Sequence, residues 1–416
     1  MIDIKRLIEE NRARRAVGLP CFCTANEHVL RAILRHCAAT GAPTVIEATC
    51  NQVNQDGGYT GMTAPEFIAW IHGMAEAEGV PACQLVLGGD HLGPNPWRKA
   101  SPAEAMTNAR ELVRQYAAAG FRKIHLDASM ACGGEPPLSF AEIAERAADL
   151  CAVAEANAPD PEGLVYVIGT EVPIPGGETE DVDALDVTSV ARFEDTIATH
   201  REAFDKHGLD AAWSRIAAIV TQPGVDFSHS SIYPFDPDAA SHLRVAIEGE
   251  PGLGFEAHST DYQPTDALRA LVQNHFVFLK VGPELTFRFR EAVYALADVE
   301  DVIQPPQPSN VKQIVAERMA ANPDAWTDYY KGDEQKIELL KLFSYSDRIR
   351  YYWPDRKISR ALEAMIANLR AEGLTPNIIS RYFTAGDFGK ISTDPIALMN
   401  EHINLCTQRY FEACGH

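Results

Sequence analysis

Eight short apolar runs alternate with longer amphipathic runs between Val17 and Gly282. Apolar runs rich in Val, Ile, Leu and Phe are typical of buried parallel strands, and the amphipathic runs are typical of the helices that cover them. Eight such pairs predict an α/β fold of the (β/α)8 type, a TIM barrel. The predicted strands are Gly18–Thr24, Thr44–Ala48, Gln84–Asp90, Lys123–Ala128, Leu164–Glu171, Arg215–Thr221, Gly252–His258 and Phe276–Val281.

A doubly wound open sheet is the alternative fold for this alternation. That fold normally carries a Gly-rich phosphate-binding turn directly after its first strand, and the sequence after Thr24 has none. Helix starts are also well marked, because Thr63, Ser101 and Ser139 are each followed three residues later by a glutamate. The barrel is therefore the favoured prediction.

The barrel pattern ends at the proline-rich segment 304–308. The remaining sequence has helical periodicity and no convincing strand. We therefore predict a barrel over residues 1–303 and an all-helical C-terminal extension over 309–416. The predicted helices of the extension are Val311–Ala321, Glu334–Phe343, Lys357–Glu372, Pro376–Phe383 and Pro395–Cys414.

Charge, hydropathy and cysteine content narrow the classes of function. The formal net charge of −21 argues against nucleic acid or an anionic membrane as a partner, because either would need a basic face. No apolar segment approaches the ~18 residues of a membrane span, and the nine cysteines include no CxxC pair. Reduced thiols and a cytoplasmic location are expected. An anionic small substrate stays compatible with this charge, since a few local Arg or Lys side chains can hold one phosphate.

Histidines stand at or after three predicted strand ends, and one of them follows an acid. Asp90 and His91 end the third strand, His229 follows the sixth, and His258 ends the seventh. The carboxyl ends of barrel strands meet at one face, so three imidazoles there predict a catalytic site for Zn²⁺ or a similar divalent ion. The alternative is that Asp90 caps a turn and the histidines are ordinary hydrogen-bonded residues.

Further ionisable side chains are expected at the same face. Lys280, near the end of the eighth strand, offers the different chemistry of a Schiff base. The histidine-rich face favours the metal route over that alternative. The acids expected to serve either acid–base catalysis or the orientation of the histidines are Asp127, Glu135, Glu171 and Glu256.

The extension contains an unusual concentration of arginine and aromatic residues in the segment Ser346–Trp353, which includes Arg348 and Arg350. One interpretation places this segment at the mouth of the barrel, where an arginine binds the phosphate of a substrate. The other interpretation is a packed hinge that is held by Arg–Asp pairs.

Four motifs of this sequence resemble a known family: Asn51–Met62, Gly88–Trp97, Ile168–Glu178 and Ser346–Trp353. The barrel segments resemble the class II, metal-dependent ketose-bisphosphate aldolases. The four motifs are more closely similar to the Z-subunit family associated with tagatose-bisphosphate aldolase, whose members have also been labelled tagatose-6-phosphate kinases. The resemblance covers essentially the whole chain.

The resemblance implies roles for the residues at the strand ends. Asp90 is implied to be the acid–base residue. His91, His229 and His258 are implied to be ligands of a divalent metal, Zn²⁺ in the first place, with Mg²⁺ or Mn²⁺ as alternatives.

Other residues receive supporting roles from the same resemblance. Asp127 and Glu171 are expected to assist catalysis or to be alternative metal groups. Glu135 and Glu256 are expected to support the metal ligands. The expected substrate-binding residues are Asn51, Gln52, Ser259, Lys280, Arg348 and Arg350.

Two departures from the aldolase pattern bear on the reaction. The aldolases follow the eighth strand with an asparagine that holds substrate, whereas this chain has Gly282 after Lys280-Val281. The Gly-Gly-Ser turn that binds their second phosphate is replaced here by the segment Ser259–Tyr262. Metal binding is therefore expected, but full bisphosphate aldolase activity is not.

The predicted function is a ketose-phosphate 4-epimerase that converts tagatose 6-phosphate to fructose 6-phosphate by retro-aldol and aldol steps, in galactitol and tagatose catabolism. The alternative is a non-catalytic subunit that stabilises a separate aldolase. A kinase is not expected, because the chain has no GxxxxGK[ST] loop. The expected partners are a phosphorylated ketose and either further copies of the chain or an aldolase catalytic subunit.

Overall fold

The structure, a computed structural model, describes residues 2–172, 177, 185–383 and 392–416. Eight of its strands are parallel and close into a barrel, so the predicted (β/α)8 fold is confirmed. In chain order the strands are β1 (Leu19–Cys23), β2 (Thr44–Thr49), β3 (Leu85–Leu92), β4 (Lys123–Leu126), β5 (Val165–Ile168), β6 (Ile216–Val220), β7 (Asp226–Phe227), β8 (Ile232–Tyr233), β9 (Gly254–Ala257) and β10 (Phe276–Val281).

The barrel runs in the order β1-β2-β3-β4-β5-β6-β9-β10, and β10 pairs with β1 to close it. The two short strands β7 and β8 form an antiparallel hairpin outside the barrel, in the loop that follows β6. This hairpin was not predicted. Each of its strands is only two residues long, which is too short to give a period-2 pattern in the sequence.

Helices cover the barrel and continue into the extension. The tail helices begin and end close to the predicted residues, except that the helix at Pro376 ends at Ile379 and residues 380–382 form a turn. The helices are α1 (Ile4–Arg12), α2 (Glu27–Thr40), α3 (Ala64–Ala77), α4 (Pro102–Ala119), α5 (Phe140–Asn157), α6 (Val190–Lys206), α7 (Asp210–Trp213), α8 (Ser241–Ala246), α9 (Thr265–Gln273), α10 (Pro283–Ile303), α11 (Val311–Ala321), α12 (Glu334–Phe343), α13 (Arg356–Glu372), α14 (Pro376–Ile379) and α15 (Pro395–Ala413).

The core has two layers, as a closed barrel requires. A large layer lies between the strands and the surrounding helices, and a smaller one fills the barrel interior. Helix α1 plugs the amino-terminal end of the interior, where Ile4 and Ile8 are buried against inward residues such as Leu19 and Phe278. A cavity of about 610 Å³ remains beside α1 at this end, and two further cavities lie at the carboxyl ends of the strands.

The helical extension packs on the barrel through aromatic contacts. The ring of Phe411 on α15 lies 5.4 Å from Phe22 of β1 and 4.1 Å from His36 of α2, measured between centroids. Farther along the extension, the backbone of Tyr345 donates to the carbonyl of His229 at 3.0 Å. Arg290 of α10 pairs with Asp347 at 2.6 Å. The segment after α12 is therefore fixed against the carboxyl face of the barrel.

Two smaller points concern thiols and membranes. All nine cysteines are free, as the sequence predicts. Across the described residues, none of the helices combines the length and the apolar character that crossing a bilayer would need.

Candidate active site

A cavity of about 80 Å³ lies at the carboxyl face of the barrel, and a larger one of about 640 Å³ adjoins it beneath α13. Asp90, His91, His258 and Lys280 line the inner cavity. Five residues border both cavities. They are Cys23 of β1, Gln52 and Tyr59 of the loop after β2, Gly282 after β10, and Arg350 of the extension.

An irregularity in β3 lets two consecutive residues face this cavity. On a regular strand the side chains of Asp90 and His91 would point to opposite faces. Here the pairing with β4 shifts between Gly89 and Leu92, and His91 has a positive φ of 49°. Next to this bulge only glycine fits at position 93, because a Cβ there would lie 1.6 Å from the carbonyl oxygen of Asp127. The Gly-Gly-Asp-His-Leu-Gly motif thus encodes the bulge that delivers both groups.

Strand β4 and the residues after it supply the partners of that pair. His125 and Asp127 are two apart, so both face the interior, and both are buried. Nδ1 of His91 lies 2.8 Å from Oδ2 of Asp127, whose Oδ1 accepts from the hydroxyl of Ser129 at 2.6 Å. Nδ1 of His125 lies 3.0 Å from Oδ1 of Asp90. Each carboxylate therefore holds one nitrogen of an imidazole.

Strand β9 repeats the arrangement. Nε2 of His258 lies 2.8 Å from Oε1 of Glu256, two residues before it. The other oxygen of Glu256 lies 2.5 Å from Nζ of Lys123, which also contacts Glu47 at 2.5 Å, and these three side chains are fully buried. Burial lowers the pKa of His258 and of His125, so both rings are neutral near neutral pH. Nε2 of His258 donates to Glu256 and leaves a lone pair at Nδ1, whereas Nδ1 of His125 also accepts from the backbone amide of His91 at 3.2 Å.

Lys280 of β10 points its ammonium into the same cluster. It contacts Asp90 and lies 3.4 Å from Oε1 of Glu256 and 3.9 Å from Oε2 of Glu47. Burial alone would lower the pKa of Lys280, but the three carboxylates raise it above its ordinary value. Burial would likewise raise the pKa of Asp90, but the neighbouring His91, the Lys280 ammonium and the hydrogen bond with His125 hold it well below its usual range. Lys280 is thus a charged ammonium and not the neutral amine that a Schiff base needs.

These residues fit a divalent metal. The rings of His91, His125 and His258 lie 5.0–5.1 Å from one another between centroids. Each ring is paired with a carboxylate in the manner typical of metal-ligating histidines. Nε2 of His125 is buried without a hydrogen-bond partner among the described residues. The potential ligand atoms of Asp90, His125, Glu256 and His258 all lie within 4.8 Å of one another, a set that does not include His91.

The charge of the cluster also favours a bound divalent cation. Among the described side chains that meet here, the carboxylates outnumber the two ammonium groups, so negative charge is left over. Mixed nitrogen and oxygen donors with imidazoles are typical of sites for divalent metal ions. The ammonium groups are Lys123 and Lys280, and the carboxylates are Glu47, Asp90, Asp127 and Glu256.

His229, the third ligand predicted from the sequence, lies elsewhere in the described structure. It follows β7, and its Nδ1 lies 2.9 Å from the hydroxyl of Ser344 while its Nε2 lies 3.3 Å from the carbonyl of Tyr329. Its ring also packs on Tyr330 at 5.3 Å. The hairpin carries the residue away from the strand end and under the extension. His125 stands where the third imidazole was expected.

Two predicted acids also face other partners. Glu171 pairs with Arg192 of α6 at 3.1 Å. Glu135 pairs with Arg146 of α5 and accepts from the backbone amide of Cys132 at 2.8 Å. The structure therefore does not bring these two carboxylates into the cluster, because each loop turns back onto its neighbouring helix. Both positions remain sequence-based predictions as functional residues.

Most of the predicted substrate-binding residues line the inner cavity, namely Asn51, Gln52, Ser259, Lys280 and Arg350. Arg350 makes no ion pair with a described residue, and its guanidinium donates to the hydroxyl of Tyr351 at 3.0 Å. Arg348 is different. It is buried at 4% exposure, donates to the carbonyl of Ala325, and stacks over the ring of Tyr329. Arg348 thus stabilises the segment Ser346–Trp353 through its own packing, and Arg350 faces the cavity.

His125, Glu47 and Lys123 are site residues that the sequence analysis missed. The available signal was the period of 2 along a strand. Lys123 and His125 precede Asp127 at this spacing, so all three face the interior once the face of Asp127 is known. Glu47 is a charged residue in an otherwise apolar β2 run, which is a sign of an inward functional position.

The chain is similar to known proteins over nearly its whole length. The model of the family described as D-tagatose-1,6-bisphosphate aldolase subunit GatZ/KbaZ-like matches residues 4–415. A crystal structure described as a probable tagatose 6 phosphate kinase from Sinorhizobium meliloti 1021 is 40% identical, with a TM-score of 0.87, over 95% of this chain and 100% of that chain. These findings confirm the family predicted from the four motifs.

Two more distant structures are also similar. A fructose-bisphosphate aldolase from Campylobacter jejuni has a TM-score of 0.46 at 15% identity, over 89% of this chain and 94% of that chain. The YdjI aldolase from Escherichia coli K12 has a TM-score of 0.43 at 11% identity, over 87% of this chain and 95% of that chain. Similarity at this level carries no argument about activity.

Proposed function

We propose, from the premise that this chain belongs to the GatZ/KbaZ-like family of D-tagatose-1,6-bisphosphate aldolase subunits, that it is a metal-dependent ketose-phosphate 4-epimerase. One observation carries the proposal. Three imidazoles, each paired with a carboxylate, surround Asp90 in a buried cluster that lines a cavity at the carboxyl face of the barrel. An inert scaffold has no need of such a set, because burying charged groups costs stability.

His91, His125 and His258 would hold the metal, with Zn²⁺ as the ion that best suits them. A metal held there would supply Lewis-acid chemistry at the C2 carbonyl of a ketose. Asp127, Asp90 and Glu256 fix the ring orientations, so that each imidazole offers one defined nitrogen.

Asp90 is the acid–base residue in this proposal. Its carboxylate takes the proton of the C4 hydroxyl, and the C3–C4 bond breaks to give an aldehyde at C4 and an enediolate over C2 and C3. The aldehyde fragment turns its other face to C3 and the bond forms again. Asp90 then returns the proton to the C4 oxygen. Atoms and charge balance over the cycle, and the only net change is the configuration at C4.

Lys280 supports this role of Asp90. Its ammonium contacts the carboxylate and keeps Asp90 ionised in a buried position. A protonated Lys280 also argues against the covalent route of the class I aldolases.

Arg350 is the proposed anchor for the phosphate of a ketose 6-phosphate. It borders both cavities and has no carboxylate partner among the described residues. A guanidinium that donates to the backbone of Ser346 and Asp347 and to the Tyr351 hydroxyl, but to no carboxylate of a described residue, is well suited to an anion in a chain of net charge −21. With C2 at the metal, the phosphate end of the sugar would extend outward toward the larger cavity.

Activity on tagatose 6-phosphate tests the proposal. Purified protein supplied with a divalent metal is expected to form fructose 6-phosphate and, because the aldehyde fragment stays bound, little triose phosphate. Both products are followed by coupled enzymes. Release of triose phosphate at the rate of ketose loss would instead indicate an aldolase, and an absence of turnover with every divalent metal would contradict catalysis.

A non-catalytic role as a subunit of an aldolase is the second candidate. Helix α12 has no buried residue and exposes Leu339 and Phe343 at 51% and 64%, which suits contact with another protein. If this candidate is right, the chain alone has no turnover but raises the activity or stability of an aldolase catalytic subunit that is added to it.

A further inference from the structure

The loop after β9 brings a carboxyl group to the start of α10. Oδ1 of Asp261 accepts from the backbone amide of Gly282 at 3.0 Å and from that of Glu284 at 2.7 Å. Pro283, which lies between them, has no amide hydrogen. Asp261 therefore holds both of the amides that the chain offers over residues 282–284.

This end of α10 belongs to the inner cavity, which Asp261, Gly282 and Pro283 line together with Ser259 and Lys280. In (β/α)8 enzymes the loops after the seventh and eighth strands and a helix amino terminus frequently bind a substrate phosphate, because free amides and the helix dipole attract an anion. Strands β9 and β10 are the seventh and eighth of this barrel. The position where such a barrel holds a phosphate is thus taken by a carboxyl group of the chain itself.

Capping of the helix alone does not account for this arrangement. Other helices here are capped by the residue directly before them, as Ser101 caps α4. Asp261 instead comes from a separate loop, is only 2% exposed, and lies close to the buried Glu284. Burial raises the pKa of Asp261 to about 7, with a contribution from the charge of Glu284 and against the lowering effect of the two amides. Because burying two acidic groups together costs stability, a local cap would serve the helix better.

We propose that Asp261 sets the phosphate specificity of the site: its carboxyl group occupies the α10 amides in place of a substrate phosphate, so the cavity accepts a ketose with one phosphate and excludes a bisphosphate. The inference rests on the ketose-phosphate function proposed above and narrows its substrate class. Arg350 then holds the single phosphate. A protonated Asp261 still fills the position, and an ionised one also repels a second anion.

The experiment compares the binding of glucitol 6-phosphate with that of glucitol 1,6-bisphosphate, which both lack the ketose carbonyl and cannot react. Isothermal titration calorimetry gives the two dissociation constants for each protein, supplied with Zn²⁺, and circular dichroism checks the fold. The proteins are the wild type, Asp261→Ala, Asp261→Asn and Asp333→Ala. The last is the matched control, because Asp333 accepts from the amide of Lys336 at the start of α12 and does not line either cavity at the carboxyl face.

The wild type is expected to bind the monophosphate more tightly than the bisphosphate. Asp261→Ala frees the two amides, so binding of the bisphosphate should tighten by roughly 10–100-fold relative to the monophosphate, as expected for new hydrogen bonds to a charged group. Asp261→Asn keeps an oxygen that accepts from the amides and should keep the preference of the wild type. Asp333→Ala should keep it too.

Three results would overturn the inference. These are a wild type that binds the bisphosphate at least as tightly as the monophosphate, a folded Asp261→Ala variant without the relative gain, and an equal gain in Asp261→Asn. The first needs no variant, so it decides the matter even if Asp261→Ala does not fold. A wild type that binds neither compound contradicts the proposed ketose-phosphate function instead, which is a separate outcome.

Discussion

His125 and His229 show how differently two histidines of one barrel are used. His125 lies within β4, is fully buried, and presents a nitrogen without a partner among the described residues to the centre of the barrel. His229 lies in the hairpin loop after β6 and bonds to Ser344 and to the backbone of Tyr329 in the extension. The first faces the proposed metal site, and the second joins the extension to the barrel.

The difference arises from what fixes each position. A residue inside a barrel strand is placed by the hydrogen-bond register of its neighbours, so its side chain has a defined direction. A residue several positions past a strand end is placed by the packing of its own loop. Arg350 and Arg348, two residues apart in the extension, repeat the contrast, since one faces the cavity and the other stacks on Tyr329.

The largest expected effect tests whether the barrel centre is catalytic. Asp90→Asn keeps the size and hydrogen bonding of the side chain but removes its proton transfer, so turnover should fall by roughly two to four orders of magnitude. Metal content should be retained. Steady-state epimerisation and metal analysis check this. Glu171→Gln is the control, because Glu171 pairs with Arg192 outside the cluster, and an equal loss there would contradict the assignment.

The next largest effect tests the different roles of His125 and His229 directly. His125→Ala should weaken metal affinity by more than the roughly 10–100-fold that loss of a supporting partner costs. His229→Ala should leave metal affinity unchanged and lower the thermal midpoint, because it removes contacts to the extension. Competition with a chelator and thermal unfolding measure the two quantities. The reverse pattern would restore His229 as the ligand.

A smaller effect separates the two arginines. Arg350→Gln should raise KM for a ketose 6-phosphate by roughly 10–100-fold, as expected for loss of a charge-assisted hydrogen bond of about 1.5–3 kcal/mol. KM for the unphosphorylated ketose should hardly change. Arg348→Gln should lower stability without this selectivity. Kinetics with both sugars decide the matter, and equal effects of Arg350→Gln on the two would show that it does not bind the phosphate.

The smallest effect concerns the orientation of His91. Asp127→Asn keeps an oxygen that can accept from Nδ1 of His91 but removes the charge, so metal affinity should fall by on the order of tenfold, the low end for a supporting partner. Glu135→Gln is the control, because Glu135 pairs with Arg146. Metal titration of both variants checks the prediction. An unchanged affinity in Asp127→Asn would mean that the pairing does not matter to the metal.

The sequence predicted the barrel well because alternating apolar runs report burial directly, although β3 ends at Leu92, two residues past the predicted Asp90. It also placed Asp90, His91 and His258 at the carboxyl face, where they line one cavity, and their roles stay predictions. His229 was expected at the barrel face because the short β7–β8 hairpin leaves no periodic signal. His125 was overlooked because one histidine in an apolar strand has no distinctive pattern until the partner Asp90 is known to lie 3.0 Å away.

The positive φ of His91 limits how this site can be altered. At φ 49° the backbone accepts Gly, Asn, Asp and His far more readily than bulky or β-branched residues. An attempt to change the preferred metal by placing Cys or Glu at position 91 would therefore strain the chain as well as change the donor atom. Positions 125 and 258 have no such restriction. Engineering of the metal preference should start from those two strands and leave the bulge intact.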